Sequence, residues 1–215
     1  YSLGGITLLC RFDGQRVTMA SQMSEADETV SSLYSVKSEQ ATMLSFDTYN
    51  YLVHYFGQPQ GSMSDDPNGT LGGDYEFIIS SASAERIELK GKKYGNRIVM
   101  KALTEDQTWK QYLTKIKKVE DDAFFYEYDL LMDGLYTGQM IRSNYTFILT
   151  YYDEIGKVHQ KTVPFMFTAD GLRFHEPVTI DGQTMQNFVW KNELISFVCT
   201  DEGATGGKLA GAYTC

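Results

Sequence analysis

Residues 144–190 read NYTFILTYYDEIGKVHQKTVPFMFTADGLRFHEPVTIDGQTMQNFVW, and this stretch decides the fold class. It is rich in β-branched and aromatic residues, which fit the pleated surface of a sheet. Turn dipeptides interrupt it at Ile155-Gly156, Asp170-Gly171 and Asp181-Gly182. Short strands at roughly 8–12-residue spacing are typical of antiparallel proteins. We therefore expect a mainly β protein, with antiparallel sheets arranged as a meander, a sandwich or a barrel.

The same pattern extends to the rest of the chain. Asp13-Gly14 lies between two apolar runs and Asp133-Gly134 between two more, and such dipeptides favour tight hairpins. The C-terminal stretch TDEGATGGKLAGAYTC (200–215) is rich in small residues, and we interpret it as a tail or the start of a further segment. With 215 residues, the chain predicts one continuous β-rich domain (1–215), or two similar halves, 1–119 and 120–215.

One amphipathic helix is predicted at about Glu105–Val119. Thr104 and Gln107 form a capping box, in which a side chain at each end of a four-residue unit satisfies a backbone amide. Apolar residues then recur on one helical face, namely Trp109, Tyr112, Leu113, Ile116 and Val119. This pattern assigns Trp109 to the core.

A short helix is predicted at about Thr48–Phe56, within LSFDTYNYLVHYFGQP (44–59). Asp47 or Thr48 is the expected N-cap, and Gly57 followed by Pro59 is a stop signal. The predicted packed face comprises Tyr49, Leu52, Val53 and Phe56. Tyr51 and His54 then point away from it.

The formal net charge of −9 argues against a nucleic-acid partner, because binding the phosphate backbone relies on Lys and Arg. Cys10 and Cys199 lie in apolar runs and are expected to be buried, inert thiols, although a bridge between Cys199 and Cys215 stays an alternative. No run approaches the ~20 apolar residues of a membrane helix. The chain opens at Tyr1 without a leader pattern, so we expect a processed product.

Catalytic and metal-binding motifs are missing from the sequence. The three histidines are far apart and no HExxH or CxxC motif occurs, so no cofactor or metal is expected. Asp65, Asp66 and Asn68 offer oxygen ligands for a weak Ca²⁺ site, without the spacing of an EF-hand. A hydrolase built from carboxylates that meet only in space stays an alternative.

Tyrosine is the remaining functional signal. The chain contains 15 tyrosines, whose rings suit flat binding surfaces and also the faces of sheets. Tyr51, His54, Tyr151 and Tyr152 are the candidates for stacking on a sugar.

Two strings, SLYSV…MLSFDTYNYLVHYF and GGDYEFII…RIELKGKKYGNRIVM, carry a family resemblance from about Gly4 to Ala102. The chain resembles a family of uncharacterised lipoproteins of Bacteroides-type bacteria, which are classed as a domain of unknown function. The resemblance implies a secreted, lipid-anchored protein of the cell envelope, at the outer membrane, that takes part in glycan uptake. It implies no catalytic residues, and the lipobox cysteine is not in this chain.

These observations predict a non-enzymatic envelope lipoprotein that binds a glycan or an outer-membrane partner protein. The alternatives are a glycan-active hydrolase and a structural module of a larger lipoprotein.

Overall fold

A computed structural model of the protein describes residues 4–38, 41–58, 71–103, 107–153 and 155–212. The predicted mainly β, antiparallel architecture with one long and one short helix is confirmed. The chain divides into two compact units, one of Leu8–Trp109 and one of Lys110–Cys215 together with Tyr1–Thr7. The expectation of one continuous domain, or of two similar halves, stays a prediction.

The unit Leu8–Trp109 contains an open seven-stranded sheet in which each strand pairs with the next along the chain. Its strands are β1 (Leu8–Asp13), β2 (Arg16–Ser21), β3 (Val30–Ser38), β4 (Thr42–Phe46), β5 (Glu76–Ala82), β6 (Arg86–Gly91) and β7 (Arg97–Lys101). Asp13 pairs with Arg16, so the predicted hairpin at Asp13-Gly14 is confirmed. Because the strands follow one another in the sheet in chain order, the sheet is a meander, with α1 (Tyr51–His54) in the connection between β4 and β5.

The second unit is a closed eight-stranded barrel. Its strands are β8 (Glu127–Met132), β9 (Leu135–Ser143), β10 (Thr146–Tyr152), β11 (Val158–Phe167), β12 (Gly171–Ile180), β13 (Gln183–Lys191), β14 (Ser196–Cys199) and β15 (Gly207–Ala212). The turns at Asp133-Gly134 and Asp181-Gly182 are confirmed, and all four residues have positive φ. Such two-residue turns match the twist of the strands that they join.

The interpretation of the C-terminal stretch as a tail is wrong, because β15 closes the barrel by pairing with both β14 and β8. Leu209 in this strand is fully buried. A Cβ on Gly211 would lie 2.7 Å from the Phe125 ring, so a small residue is needed there. The small residues that obscured the strand in the sequence therefore let it approach its neighbours closely.

The barrel interior is filled by aromatic rings. The buried ones are Tyr128, Phe147, Phe165, Phe167, Phe174, Phe188 and Phe197. The Phe147 and Phe165 rings stack with centroids 4.3 Å apart. An eight-stranded barrel is only just wide enough for side chains to fill it. Ligand binding by this unit must therefore use its outer surface or its rims.

The short helix α1 spans Tyr51–His54, and its N-cap is Asn50. The predicted caps, Asp47 and Thr48, are wrong. The hydroxyl of Thr48 instead accepts the backbone N–H of Leu33 at 2.8 Å, so it stabilises the neighbouring strand. The helix is a single turn, whereas the predicted element extended to Phe56.

The predicted packed face of α1 is confirmed only at its centre. Leu52 and Val53 are buried in the core of the open sheet. Phe56 is half-buried, and Tyr49 is 60% exposed. Tyr51, expected to point outward, packs against the core instead. One turn of helix is too short to sustain a seven-residue stripe.

The long helix α2 spans Trp109–Asp122, so it begins and ends later than predicted. Leu113, Ile116 and Val119 are buried, as the periodicity predicted. Trp109 is only half-buried, with the Arg11 guanidinium 5.8 Å from its ring centroid. Thr104 of the predicted capping box lies outside the described residues. No helix in the described ranges is both long and apolar enough to cross a membrane.

Cys199 is buried, as the sequence predicted, whereas Cys10 is only half-buried. Cys10 packs against the core of the open sheet, and burial raises its pKa to about 12. Burial likewise raises the pKa of Cys199 to about 11. A thiol is a poor nucleophile at neutral pH under these conditions. Cys215, the other half of the alternative bridge, lies outside the described residues.

Candidate functional site

The corner between β4 and α1 is fixed by the side chain of Asn50, which is fully buried. Its Oδ1 accepts the backbone N–H of Leu52 at 3.1 Å. Its amide donates to the Ser32 hydroxyl at 3.2 Å and lies 3.3 Å from the sulfur of Met19. These contacts cap the helix and attach it to β2 and β3. A buried, satisfied polar group of this kind specifies one local conformation.

This corner presents three aromatic rings, which we call the Tyr49–His54–Tyr75 cluster. The His54 ring stacks on Tyr75 with centroids 5.0 Å apart and 16° between the planes. Tyr49 lies on His54 with centroids 5.5 Å apart, at 45°. The Nδ1 atom of His54 is 3.2 Å from the backbone nitrogen of Asn50, so the imidazole is held in place from its own helix.

The cluster is open to solvent. Tyr49 is 60% exposed and Tyr75 47% exposed, whereas His54 between them is half-buried. Ordered rings with a free face and a polar tip are suited to recognition, because binding then costs little conformational entropy. The cluster can stack on a flat apolar surface while the tyrosine hydroxyls bond to polar substituents.

Asp74, next to Tyr75, organises the loop between β6 and β7. Its carboxylate accepts the backbone N–H groups of Lys93 at 2.7 Å, Tyr94 at 3.1 Å and Asn96 at 3.3 Å. The Asn96 side-chain amide donates to it at 2.7 Å. Asp74 is only 7% exposed, so its negative charge is directed into the loop rather than to solvent. The loop and Tyr75 are therefore held together.

A basic and aromatic pair on this loop extends the surface. The Lys93 ammonium lies 4.7 Å from the ring centroid of Tyr94, a cation–π distance. Tyr94 is 39% exposed. Tyr94 raises the pKa of Lys93, and Tyr75 contributes to the same shift. Because Asp74 accepts the backbone N–H of Lys93 and directly precedes Tyr75 in the chain, this loop lies beside the segment that carries Tyr75.

Of the predicted candidates, the structure brings only His54 into this surface. Tyr51 is on the same helix but is half-buried, and its hydroxyl donates to the carboxylate of Glu28. That bond directs the Tyr51 side chain toward the segment between β2 and β3. Its role as a ligand-binding residue stays a prediction.

Tyr151 and Tyr152 lie on β10 of the barrel, in the other unit. Tyr151 stacks on His159 with centroids 5.1 Å apart, and His159 contacts Asp153 at 2.8 Å. Tyr152 is 52% exposed on the other face of the strand. Desolvation raises the pKa of Tyr136, and the charge of Tyr152 adds to that shift. These two candidates therefore do not share one surface with each other.

No metal centre is found among the residues that the structure describes, where no three His, Cys, Asp or Glu side chains come together. The weak alternative, Asp65, Asp66 and Asn68, falls outside those residues. The weak Ca²⁺ site therefore stays a prediction.

The carboxylates at the end of α2 border a shallow depression of about 470 Å³, lined by Glu120, Asp121, Phe124, Phe125, Tyr126, Arg142 and Asn144. Glu120 bonds to Arg142 at 3.3 Å and to the Tyr145 hydroxyl at 3.4 Å. Lys118 lowers the pKa of Asp122 nearby. A glycosidase acid needs a raised pKa, so Asp122 is not suited to that role.

A comparison with family models identifies the chain. Residues 1–192 match the model of a domain of unknown function, DUF4302. The chain belongs to the DUF4302 family. Comparisons with curated proteins and with solved structures gave no match. The family-level part of the sequence prediction is thereby confirmed, and every residue of the Tyr49–His54–Tyr75 cluster lies inside the segment that matches DUF4302.

Sequence reasoning missed Tyr49, Tyr75, Lys93 and Tyr94. The periodicity predicts Tyr49 on the packed face of the short helix, and no pattern in the sequence singles out the other three residues as a site. The sequence offers only short-range cues to these residues. Tyr75 follows the turn-like Gly72-Gly73-Asp74, and Tyr94 lies within the basic stretch KGKKYGNR (90–97). Their meeting with His54 depends on the pairing of β4 with β5, which no short-range pattern shows.

Proposed function

We propose that this DUF4302 domain is a non-enzymatic binding module that captures a glycan on the Tyr49–His54–Tyr75 cluster. The observation that carries the proposal is the stacked pair of His54 and Tyr75, with the 60%-exposed Tyr49 beside it. Aromatic rings pack well on the C–H faces of sugars, while their polar tips bond to hydroxyl groups. The buried Asn50 and Asp74 hold the surface ready for such a ligand.

We also propose that the domain acts at the cell envelope, as part of an outer-membrane lipoprotein. The family resemblance supports this location. Glycan capture at the outer surface fits a module whose binding face is a shallow, exposed platform rather than a catalytic cleft.

A partner protein is a second candidate ligand, on the barrel. Phe124 and Tyr126 are 68% and 66% exposed at the rim of the depression beside α2. Exposed aromatic residues are enriched among the strongest contributors to protein interfaces. Cross-linking in isolated outer membranes tests this candidate, which predicts a product that the double variant Phe124→Ser, Tyr126→Ser loses.

A glycan array with the purified chain tests the main proposal. Wild-type protein should bind a defined set of glycans, and Tyr75→Ala should weaken that binding about tenfold or more, as expected for a central aromatic contact. Tyr126→Ala, an exposed tyrosine of the other unit, is the matched control and should bind as wild type does. Absence of glycan binding by the folded wild-type chain would overturn the proposal.

A further inference from the structure

We propose that the preferred ligand of the Tyr49–His54–Tyr75 cluster is an acidic glycan, whose carboxylate or sulfate group binds the Lys93 ammonium. This inference rests on the proposed glycan-binding function and specifies its ligand class. A uronic acid and a sulfated sugar present the same chemistry here, an anionic group on a ring that can stack.

The position of Lys93 is the first argument. Its backbone N–H is held by Asp74 at 2.7 Å, and its ammonium lies over the Tyr94 ring at 4.7 Å. Asp74 is adjacent to Tyr75 in the chain, and Tyr75 stacks on His54. The backbone of Lys93 is thus held by the residue that precedes Tyr75, and its charged end is held by the Tyr94 ring.

The pairing of the neighbouring cations is the second argument. Lys92 forms an ion pair with Glu76 at 3.0 Å, and Arg97 lies 3.6 Å from Glu88. Among the described residues, no carboxylate oxygen lies within 4.0 Å of the Lys93 ammonium. The ammonium instead lies over the Tyr94 ring, and Tyr94, with smaller contributions from Tyr75 and Asp74, raises the pKa of Lys93. The Asp74 carboxylate nearby already accepts four N–H groups, so its charge is compensated by the loop.

The overall charge of the chain also supports a local, rather than a general, attraction for anions. A chain with a formal net charge of −9 repels anions at long range, so it has no general affinity for acidic polymers. An ammonium that forms no ion pair with a described carboxylate, in the loop beside Tyr75, supplies a local attraction instead. Lysine binds carboxylate and sulfate groups as a compact point charge, and that contribution is screened by salt. We therefore expect the affinity for acidic glycans to depend on the charge of Lys93 and not on a general attraction between the chain and anions.

The experiment compares matched acidic and neutral saccharides on the full chain. Suitable probes are hexamers of galacturonic acid and of a sulfated galactan that lacks uronic acid, each beside a neutral counterpart made by methyl esterification or by desulfation, within a broader panel of acidic and neutral glycans. Wild-type protein should prefer acidic members, with affinity that falls as salt rises. Lys93→Gln should weaken their binding by about threefold to tenfold and leave neutral members unchanged.

The control is Lys101→Gln, which removes the same charge at the far end of β7 and should bind as wild type does. Preference for the uronate or for the sulfated probe identifies the source of the anion. Binding of neutral glycans alone, sensitive to Tyr75→Ala and indifferent to Lys93→Gln, would overturn this inference and leave the proposed function standing. Absence of any binding would overturn both.

Discussion

The imidazole of His54 stacks on the phenol ring of Tyr75, with centroids 5.0 Å apart and 16° between the planes. This contact joins the end of α1 to the residue just before β5, which are separated in the chain by the connection around residues 59–70. The backbone adds to it, because Gly73 donates to the carbonyl of Phe56 at 2.8 Å. The two sides of the connection are therefore tied together at the cluster.

Replacing His54 with alanine should weaken glycan binding and stability together. The change removes the ring between Tyr49 and Tyr75 and its contact with the Asn50 backbone. We expect a loss of about 1 kcal/mol in the free energy of unfolding, the typical value of an aromatic pair. Urea denaturation and glycan titration measure the two effects. His54→Phe keeps a ring and should retain most of the binding, so an equal loss in both variants would contradict a stacking role.

Replacing Asn50 with alanine should destabilise the unit Leu8–Trp109. The variant loses the N-cap of α1 and leaves the Leu52 N–H without its acceptor in a buried site. We expect a loss of about 2 kcal/mol in the free energy of unfolding. Asn50→Asp keeps the cap but buries a charge beside Met19, so it should not restore full stability. The measurement is urea denaturation followed by circular dichroism, and full stability in the alanine variant would contradict this account of the corner.

Replacing Asp74 with alanine should disorder the loop that holds Lys93 and Tyr94. Four N–H groups then lose their acceptor, and we expect a loss of about 3 kcal/mol in the free energy of unfolding. Hydrogen exchange should show the amides of Lys93 and Asn96 exchanging faster. Glu85→Ala, in the exposed turn between β5 and β6, is the control and should exchange as wild type does. Unchanged protection in the Asp74 variant would show that the carboxylate does not order the loop.

The strands and hairpins were predictable because their signals are local. Asp133-Gly134 and Asp181-Gly182 have the positive φ values that a two-residue turn requires, and the dipeptide itself reveals this. The buried stripe of α2, Leu113, Ile116 and Val119, is likewise a short-range pattern. Barrel closure was not predictable in this way, since β15 pairs with β8 about 80 residues earlier.

The candidate site was only partly predictable, for a related reason. His54 could be recognised as a surface residue of a short helix. Its partner Tyr75 lies some twenty residues away, and the pairing of Leu44 with Phe77 brings the two segments together. Asn50 was overlooked as the cap because four successive positions, from Asp47 to Asn50, include three good capping residues, and the tertiary contact with Ser32 decides between them.

The two described thiols should react slowly in the native protein. Burial raises the pKa of Cys10 to about 12 and that of Cys199 to about 11, so little thiolate is present at pH 8. In a Cys215→Ala variant, Ellman's reagent should label both cysteines slowly under native conditions and quickly in guanidinium chloride. The Cys10→Ser and Cys199→Ser derivatives of that variant assign the two rates. Rapid native labelling of either thiol would contradict its burial.

Stability should fall in acid through Asp201, which anchors β13 beside the turn after β14. Burial raises its pKa, but the backbone and side-chain N–H groups of Asn187 and the backbone N–H of Gln186 outweigh burial, so the pKa of Asp201 is below its ordinary value. A lowered folded-state pKa contributes stability above the unfolded value, near pH ~4, and that contribution is lost as the pH falls through the folded value.

Asp201→Asn should therefore be less stable than wild type at pH 7, by about 2 kcal/mol, because a neutral amide accepts these N–H groups less well. Its free energy of unfolding should also fall less than that of wild type between pH 5 and pH 2. Urea denaturation across that range measures both effects. Glu85→Gln removes an exposed carboxyl and should stay within about 0.5 kcal/mol of wild type at pH 7. Parallel acid profiles for wild type and Asp201→Asn would show that this carboxyl does not contribute to acid unfolding.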